Sequence, residues 1–237
     1  MDTRPFFFKQ FHLHHHRSTM KIGTDSIMLS RWTDVSADDE VLDVGTGCGL
    51  IPMMLAQKGI AHCDAVEIDH DSCEEATENF LGTPWADKLT VVEDDARHFA
   101  KTTDKKYDLV ISNPPYFVDF TKPNDVRKGI ARHADSLSYN DLIDVATTLM
   151  KDDGRFVLVL PALEAKSFME KASEKGLFLR NEMRIIPVEG RNFNRINMEF
   201  TKKEGRVCTE YFTIRRADHS FTQEYYDFLD DYYLWIP

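Results

Sequence analysis

The stretch VLDVGTGCGL (41–50) sets an acid, Asp43, two residues ahead of glycines at alternate positions, Gly45, Gly47 and Gly49. Glycines allow a ligand to approach the backbone closely, and a helix opening just beyond them offers free N–H groups. The spacing is DxGxGxG, not the GxGxxG of the dinucleotide fingerprint, and an acid so close suits a cationic amine better than a pyrophosphate. Glu67 ends the next apolar run, 18 residues past Gly49, where a carboxylate can hold both hydroxyls of a ribose. The run after that ends in Asp94-Asp95-Ala96, placed to meet an adenine amino group. Together these residues suit a nucleoside with an amino-acid tail.

The fourth run, YDLVIS (107–112), ends in Asn113-Pro114-Pro115-Tyr116. Proline fixes φ, donates no hydrogen bond and pushes the preceding residue out of the helical region. The chain therefore leaves its core into a stiff corner bearing the Asn113 side-chain carbonyl, the Pro114 backbone carbonyl and an aromatic ring. Such a corner fits a difficult nucleophile. An aromatic amine delocalises its lone pair into the ring, and two fixed acceptors for its hydrogens shift it toward a tetrahedral nitrogen. No strong base is needed during attack, because the proton can leave afterwards. Fixed acceptors aimed at developing charge are preorganisation. Tyr116 adds a face on which a base can stack, worth roughly 1–3 kcal/mol. The corner reads as a clamp for a planar amine, against the plainer reading of a rigid turn.

The elements that position these residues follow from the pattern. EVLDV (40–44), CDAVEI (63–68), KLTVVE (88–93), YDLVIS (107–112) and RFVLVLP (155–161) read as strands. Between them, helical stretches run through 50–58, 71–81, 138–150 and 162–176, the third opening on a Ser138–Asp141 capping box. Near-continuous apolar strands separated by helices predict a mostly parallel sheet with helices on both faces. FLRNEMRIIPV, INMEFTKK and VCTEYFTIRR have no helix between the last two, which predicts antiparallel strands at the end of the sheet. SFTQEYYDFLDDYYL reads as a closing helix, and FFFKQFHLHHHRSTMKIG as β or loop.

The 237 residues, 42% of them apolar, suffice for one large α/β unit. We expect a single domain over 1–237, with 1–35 as an extension that adds to the site and 36–237 as the core. No apolar run is long enough for a membrane span, and no signal peptide is read. Cys48, Cys63, Cys73 and Cys208 are scattered without a CxxC pair, which fits a reducing cytoplasm and neither zinc nor a disulfide framework. Neighbouring histidines in His12–His16 would point to opposite faces of a strand, so no metal is expected there. The net charge of −11 is uneven: residues 34–111 carry eighteen acids against six Lys and Arg, whereas 180–216 carry nine Lys and Arg against five acids. Local patches, not the total, decide where a polyanion docks.

In order and spacing, these motifs resemble the class I S-adenosylmethionine-dependent methyltransferases over roughly residues 20–200. The resemblance implies a Rossmann-like α/β fold with a mostly parallel seven-stranded sheet and antiparallel C-terminal strands. It also implies S-adenosylmethionine as cofactor, held by Asp43, Gly45, Gly47, Glu67, Asp95, Ala96 and Asn113. The NPPY corner is similar to that of amino-methylating members and makes Asn113, Pro114 and Tyr116 the catalytic set. Members with this corner methylate adenine N6 in DNA or RNA, guanine N2 in rRNA, or a protein glutamine. The ends of the chain narrow the choice: FFFKQFHLHHHRSTMKIGTDSIML (6–29), the NPPYF corner and the acidic-aromatic tail resemble the bacterial tRNA1(Val) (adenine(37)-N6)-methyltransferases. That resemblance implies tRNA as partner, adenine N6 as acceptor, and Lys21 and Thr24 beside the cofactor. The dense His14–His16 run departs from it.

Phosphate contacts are expected from Lys9 and Arg17 near one end, from Lys122, Arg127, Lys128 and Arg132 after the corner, and from Arg191 and Arg195 in EGRNFNR. Few contacts imply modest affinity and a shallow salt dependence, and the target base must be unpaired or flipped. We expect a cytoplasmic monomer. The alternatives are another amino-methylase acting on rRNA or protein, a non-catalytic cofactor-binding interaction protein, and a nicotinamide oxidoreductase, which the loop spacing disfavours.

Overall fold

The structure, a computed structural model, describes residues 4–115 and 137–235. Tyr116, Lys122, Arg127, Lys128 and Arg132 lie outside the described residues. Strands β3 (Glu40–Val44), β4 (His62–Glu67), β5 (Leu89–Glu93), β6 (Tyr107–Ser112), β7 (Met150–Pro161), β8 (Phe178–Val188), β9 (Arg195–Thr201) and β10 (Cys208–Arg215) form one sheet in the order β10-β8-β9-β7-β6-β3-β4-β5. Strands β3 to β7 run parallel, so their C-terminal ends, which carry the glycine loop, Glu67, Asp94 and Asn113, share one edge. That single edge assembles the site.

Alternation along the buried strands feeds two cores. Val41, Cys63, Ala65, Leu109, Ile111 and Val157 face one side, which α1 (Thr24–Trp32), α2 (Leu50–Lys58), α3 (His70–Leu81) and α7 (Gln223–Leu229) cover. Leu42, Val44, Val66, Val110 and Leu158 face the other, beneath α4 (Ala96–Thr102), α5 (Tyr139–Leu149) and α6 (Ala162–Glu174). The expected capping box is present on α5: Ser138 Oγ accepts from Asp141 N at 3.1 Å, and Asp141 Oδ2 accepts from Ser138 N at 3.1 Å.

The fold class holds, with differences in the C-terminal third. The sheet has eight strands rather than seven, and of β8, β9 and β10 it is β9 alone that runs antiparallel. The six residues 202–207 do not close a hairpin on β9; they cross the end of β8, and β10 pairs parallel to it from Cys208↔Asn181 to Arg215↔Val188. Phe212 thereby reaches the core beside Tyr225 and Phe228 of α7. Helices α1 and α4 were not legible as helices: α1 is short, with Gly23 at its N-cap and no side-chain cap, and α4 has seven residues, none of them buried.

The N-terminal residues form a strap along α3. Strand β1 (Phe6–Phe7) pairs antiparallel with β2 (His12–Leu13), and the chain then climbs the helix toward the site edge. Asn79 Oδ1 accepts from His14 N at 2.8 Å, while its Nδ2 donates to His14 O and to Cys48 O at 2.8 and 2.9 Å. One turn up, the fully buried Glu75 accepts from the N–H groups of His16, Arg17 and Ser18 at 2.9, 3.1 and 2.8 Å and from Ser18 Oγ at 2.8 Å. Burial pushes this carboxyl up, but the N–H groups and hydroxyl outweigh it and hold it below the usual range.

Glu75→Leu strips an acceptor from three backbone donors at once. We expect a loss of about 2–4 kcal/mol in denaturant unfolding, with the strap released first and detectable as faster amide exchange at His16–Ser18.

Candidate active site

The glycine loop leaves β3 and turns back over β4. Gly45 N and Thr46 N donate to Val66 O at 2.9 and 3.2 Å, and Gly45, Gly47 and Gly49 have φ of 76°, 56° and 84°. All three lie in the left-handed region where glycine is favoured. Their second constraints differ. A Cβ on Gly49 would lie 2.4 Å from the Phe80 ring, which is helix–sheet packing, whereas a Cβ on Gly45 or Gly47 would meet nothing within 4 Å. The space above those two is open for a ligand.

Glu67 fastens this loop to its neighbours. Its Oε2 accepts from Gly47 N at 2.9 Å, and its Oε1 accepts from Ile68 N and Asp69 N at 2.9 and 3.0 Å. Its backbone oxygen accepts from Asp94 N at 2.9 Å. A carboxylate has about four acceptor positions, so Glu67 has roughly one left. Asp43, wholly buried at the end of β3, shows the reverse: neither oxygen has a hydrogen-bond partner among the described residues. Burial, with a smaller push from the Glu67 charge and against the pull of the nearby Thr46 hydroxyl, raises its carboxyl to about 7. A buried, unpartnered carboxylate is costly unless a cation meets it.

Val44, Gly45, Val66, Glu67, Ile68, Asp94, Asp95, Ala96, Arg97 and Leu137 line a solvent-connected cleft of about 70 Å³. Asp95 caps α4, accepting from Arg97 N at 2.7 Å, and its carboxylate also grips the Arg97 side chain at 3.0 and 3.1 Å. Hydrogen bonds from that side chain hold the Asp95 carboxyl below its usual range and outweigh the upward push of its partial burial. The sequence placed Asp95 and Ala96 together, and the structure does so; Arg97, which occupies much of the carboxylate, was missed. Its signal was present in the Asp-Ala-Arg spacing at a strand end.

On the other side of the loop, β6 delivers the proline corner. Ser112 Oγ donates to Val44 O at 2.8 Å, Pro114 is buried, and Asn113 Nδ2 donates to Ser26 Oγ at 2.7 Å. Ser26 belongs to α1, whose Asp25 pairs with Arg195 of β9 at 2.9 Å. The first turn of α1 thus bridges the Asn113 corner and the C-terminal half of the sheet. Lys21 and Thr24 stand exposed where the strap enters α1. Sequence reading missed Ser26 because a 2.7 Å contact across 87 positions leaves no local signal.

The expected RNA contacts fare unevenly. Lys9 pairs with Asp230 at 3.1 Å, Arg17 with Glu78 and, at 3.5 Å, with Glu74, and Arg195 with Asp25. These three cations hold the strap and α1 to the body of the protein. Arg191 is exposed and has no ion pair among the described residues. Among those residues there is also no cluster of three metal-ligating side chains and no helix long and apolar enough to cross a membrane.

A parallel sheet with a glycine loop after its first long strand, an acid after the second and an Asn-Pro corner after the fourth defines a methyltransferase-type α/β protein. The family model for the methyltransferase small domain matches residues 17–181. A tRNA1(Val) (adenine(37)-N6)-methyltransferase from Trichodesmium erythraeum is 37% identical over 237 residues, covering 99% of each chain. One from Bacteroides thetaiotaomicron is 38% identical over 234 residues, covering 97% of this chain and 98% of its own. Among solved structures, a predicted O-methyltransferase from Agrobacterium tumefaciens superposes with a TM-score of 0.66 at 20% identity over 88% of this chain and 96% of that one, a likeness of fold. The chain belongs to the methyltransferase small domain family, in the branch whose members are named tRNA1(Val) (adenine(37)-N6)-methyltransferase.

Because the folded carboxyl of Asp43 titrates near 7 and the unfolded one near 3.8, its protonated form stabilises the fold below pH 4, and that contribution is lost as pH rises through 7. Asp43→Asn should therefore gain stability over the wild type progressively between pH 4 and 7, by on the order of a few kcal/mol. Urea unfolding across that range measures it.

Proposed function

We propose that this protein transfers the methyl group of S-adenosylmethionine to N6 of an adenine in tRNA, adenosine 37 of tRNA1(Val), in the cytoplasm. The observation that carries the chemistry is the Asn113-Pro114 corner, its proline buried and its asparagine half-buried, on the same sheet edge as the glycine loop and Glu67. The tRNA substrate is supported by the names of relatives matched over nearly the whole length.

The site fits the cofactor. Asp43 is a buried carboxylate without a hydrogen-bond partner among the described residues and calls for a cation, which the amino-acid tail would supply. The open space above Gly45 and Gly47 admits that tail against the backbone. Glu67 offers its remaining lone pair to a ribose hydroxyl while keeping the loop in place, and Ala96 and Asp95 border the cleft where a purine would rest. Lys21 and Thr24 stand exposed at the entry to α1, and the resemblance assigns them to the cofactor's surroundings. Bound S-adenosylmethionine supplies a methyl group made electrophilic by the sulfonium.

The chain's own residues then act on the acceptor. With Nδ2 committed to Ser26, the Asn113 amide is oriented so that its Oδ1 accepts from the adenine amino group, and the Pro114 carbonyl accepts the second hydrogen. These two acceptors would hold the amino nitrogen with its lone pair out of the ring, ready to take the methyl group that S-adenosylmethionine would supply, and the extra amino proton would leave to solvent afterwards. Tyr116, the last residue of the sequence motif, is assigned as the stacking partner for the base. Acceptors held by proline, by α1 and by a buried strand need no reorganisation during transfer.

The decisive assay incubates the protein with labelled S-adenosylmethionine and tRNA lacking the modification, then identifies the nucleoside. N6-methyladenosine in one tRNA is the expected product; label in rRNA or protein alone refutes the substrate. Asn113→Ala should lower kcat at least about 100-fold with the cofactor Kd within about threefold, and near-normal turnover would refute the clamp. Ser26→Ala should reduce kcat about tenfold, Ser26→Thr should restore most of it, and KM for the cofactor should stay level in both. Glu67→Ala should weaken cofactor binding at least about tenfold, and an unchanged Kd in calorimetry would refute its ribose contact.

A further inference from the structure

The far edge of the sheet carries an aromatic–arginine assembly that the catalytic site does not use. Arg184 of β8 and Tyr211 of β10 are register partners, so their side chains leave the same face. Arg184 Nη1 donates to Tyr211 OH at 3.0 Å, and its guanidinium lies 5.1 Å from the centre of the Phe193 ring and 5.6 Å from that of Tyr211. Beneath it, Arg184 Nη2 pairs with Glu182 at 2.7 Å, and that buried carboxylate also accepts from Thr209 Oγ1 at 2.8 Å. The guanidinium is pinned, and the rings are pinned with it. Yet Tyr211 remains 57% exposed.

A large ring that is both exposed and immobilised is ready for a planar ligand at little further entropic cost. Its surroundings specify which kind. Phe193 and Tyr211 meet edge to face at 6.5 Å, amid arginine and polar groups rather than in a continuous apolar patch, which disfavours a folded protein partner. Residues 180–216 hold nine Lys and Arg against five acids in a chain of net charge −11. Arg191, exposed and without an ion pair among the described residues, lies in the same loop as Phe193. Exposed rings interleaved with arginine are the means by which single-stranded nucleic acid is held: bases stack on the rings and phosphates meet the cations.

The placement agrees with a shared substrate. The loop of Phe193 is fixed by Asn194 N to Ile185 O at 3.0 Å and by Ala162 N to Asn194 O at 3.1 Å. The next residue, Arg195, grips Asp25, whose neighbour Ser26 holds Asn113. Strand β10 stands four strands from β6, or about 19 Å at the usual spacing, a span that extended nucleotides beside a flipped adenine can cross.

We propose that Tyr211 and Phe193, braced by Arg184, form a stacking platform for an unpaired RNA base flanking the target adenine, with Arg191 meeting the adjoining phosphate. The platform rests on the tRNA reading above and adds a second contact for the same substrate. Its test uses unmodified tRNA with the full-length protein. Tyr211→Leu and Phe193→Leu should each raise Kd and KM for tRNA about tenfold, with kcat and the cofactor Kd within about twofold. Tyr211→Phe, which keeps the ring and loses the Arg184 bond, should remain near wild type. Arg191→Gln should reduce the slope of log Kd against log salt by about one. Unchanged tRNA binding in both leucine variants overturns the platform while wild-type methylation leaves the proposed function standing. A loss as large in Tyr211→Phe overturns stacking as its basis. If the wild-type protein methylates no tRNA at all, the substrate reading fails, and the platform with it.

Discussion

The arrangement of the site depends on the hydrogen bonds that converge on Glu67. Its carboxylate takes the N–H groups of Gly47, Ile68 and Asp69, and its carbonyl takes that of Asp94. Four connections from three different loops are thus fixed to one residue at the end of one strand. Left to themselves these loops would wander, because each lies just outside the ladder that orders the strands. A carboxylate is suited to the task, since it accepts several N–H bonds at once and each is charge-assisted. Alanine here would free the glycine loop as well as remove an acceptor.

Against that carboxylate stands Asp43, more deeply buried and without a hydrogen-bond partner among the described residues. The pair lie on adjacent parallel strands, and they differ in state: the Glu67 carboxylate fastens the loops, whereas the Asp43 carboxyl has no hydrogen-bond partner among the described residues. An unmet buried charge destabilises the protein, and proteins retain such features where binding relieves them. The fold tolerates it because the two cores flanking the sheet supply ample apolar burial.

A second set of contacts ties the Asn113-Pro114 corner to the rest of the chain. The strap is stitched to α3 by Glu75 and Asn79, α1 follows from it, and α1 reaches Asn113 through Ser26 and Arg195 through Asp25. The cations that looked available for RNA at this end are largely the fasteners of that strap: Arg17 is bound to the acids of α3 and Lys9 to Asp230. Arg191, on the loop between β8 and β9, is exposed and has no ion pair among the described residues.

What the sequence by itself determined is what local pattern encodes. Apolar runs of strand length, helix periods, the Ser138–Asp141 box and the glycine and proline motifs depend on neighbours a few positions apart, and the parallel sheet and the grouping of Asp43, Glu67, Asp95 and Asn113 at one edge follow from their order. Tertiary structure decided the rest. The parallel pairing of β10 to β8 turns on which edge was open when a six-residue connection allowed either choice. Helix α1 has no side-chain cap and too few turns to declare itself, so its packing makes it. The Ser26 contact to Asn113, the spent charges of Arg17 and Lys9, and the Arg184–Tyr211–Phe193 assembly all join residues far apart in the chain or pair charges that sequence shows only as a sum. Hydrogen bonds and ion pairs are made between side chains that folding brings together, and such partnerships leave no period to read.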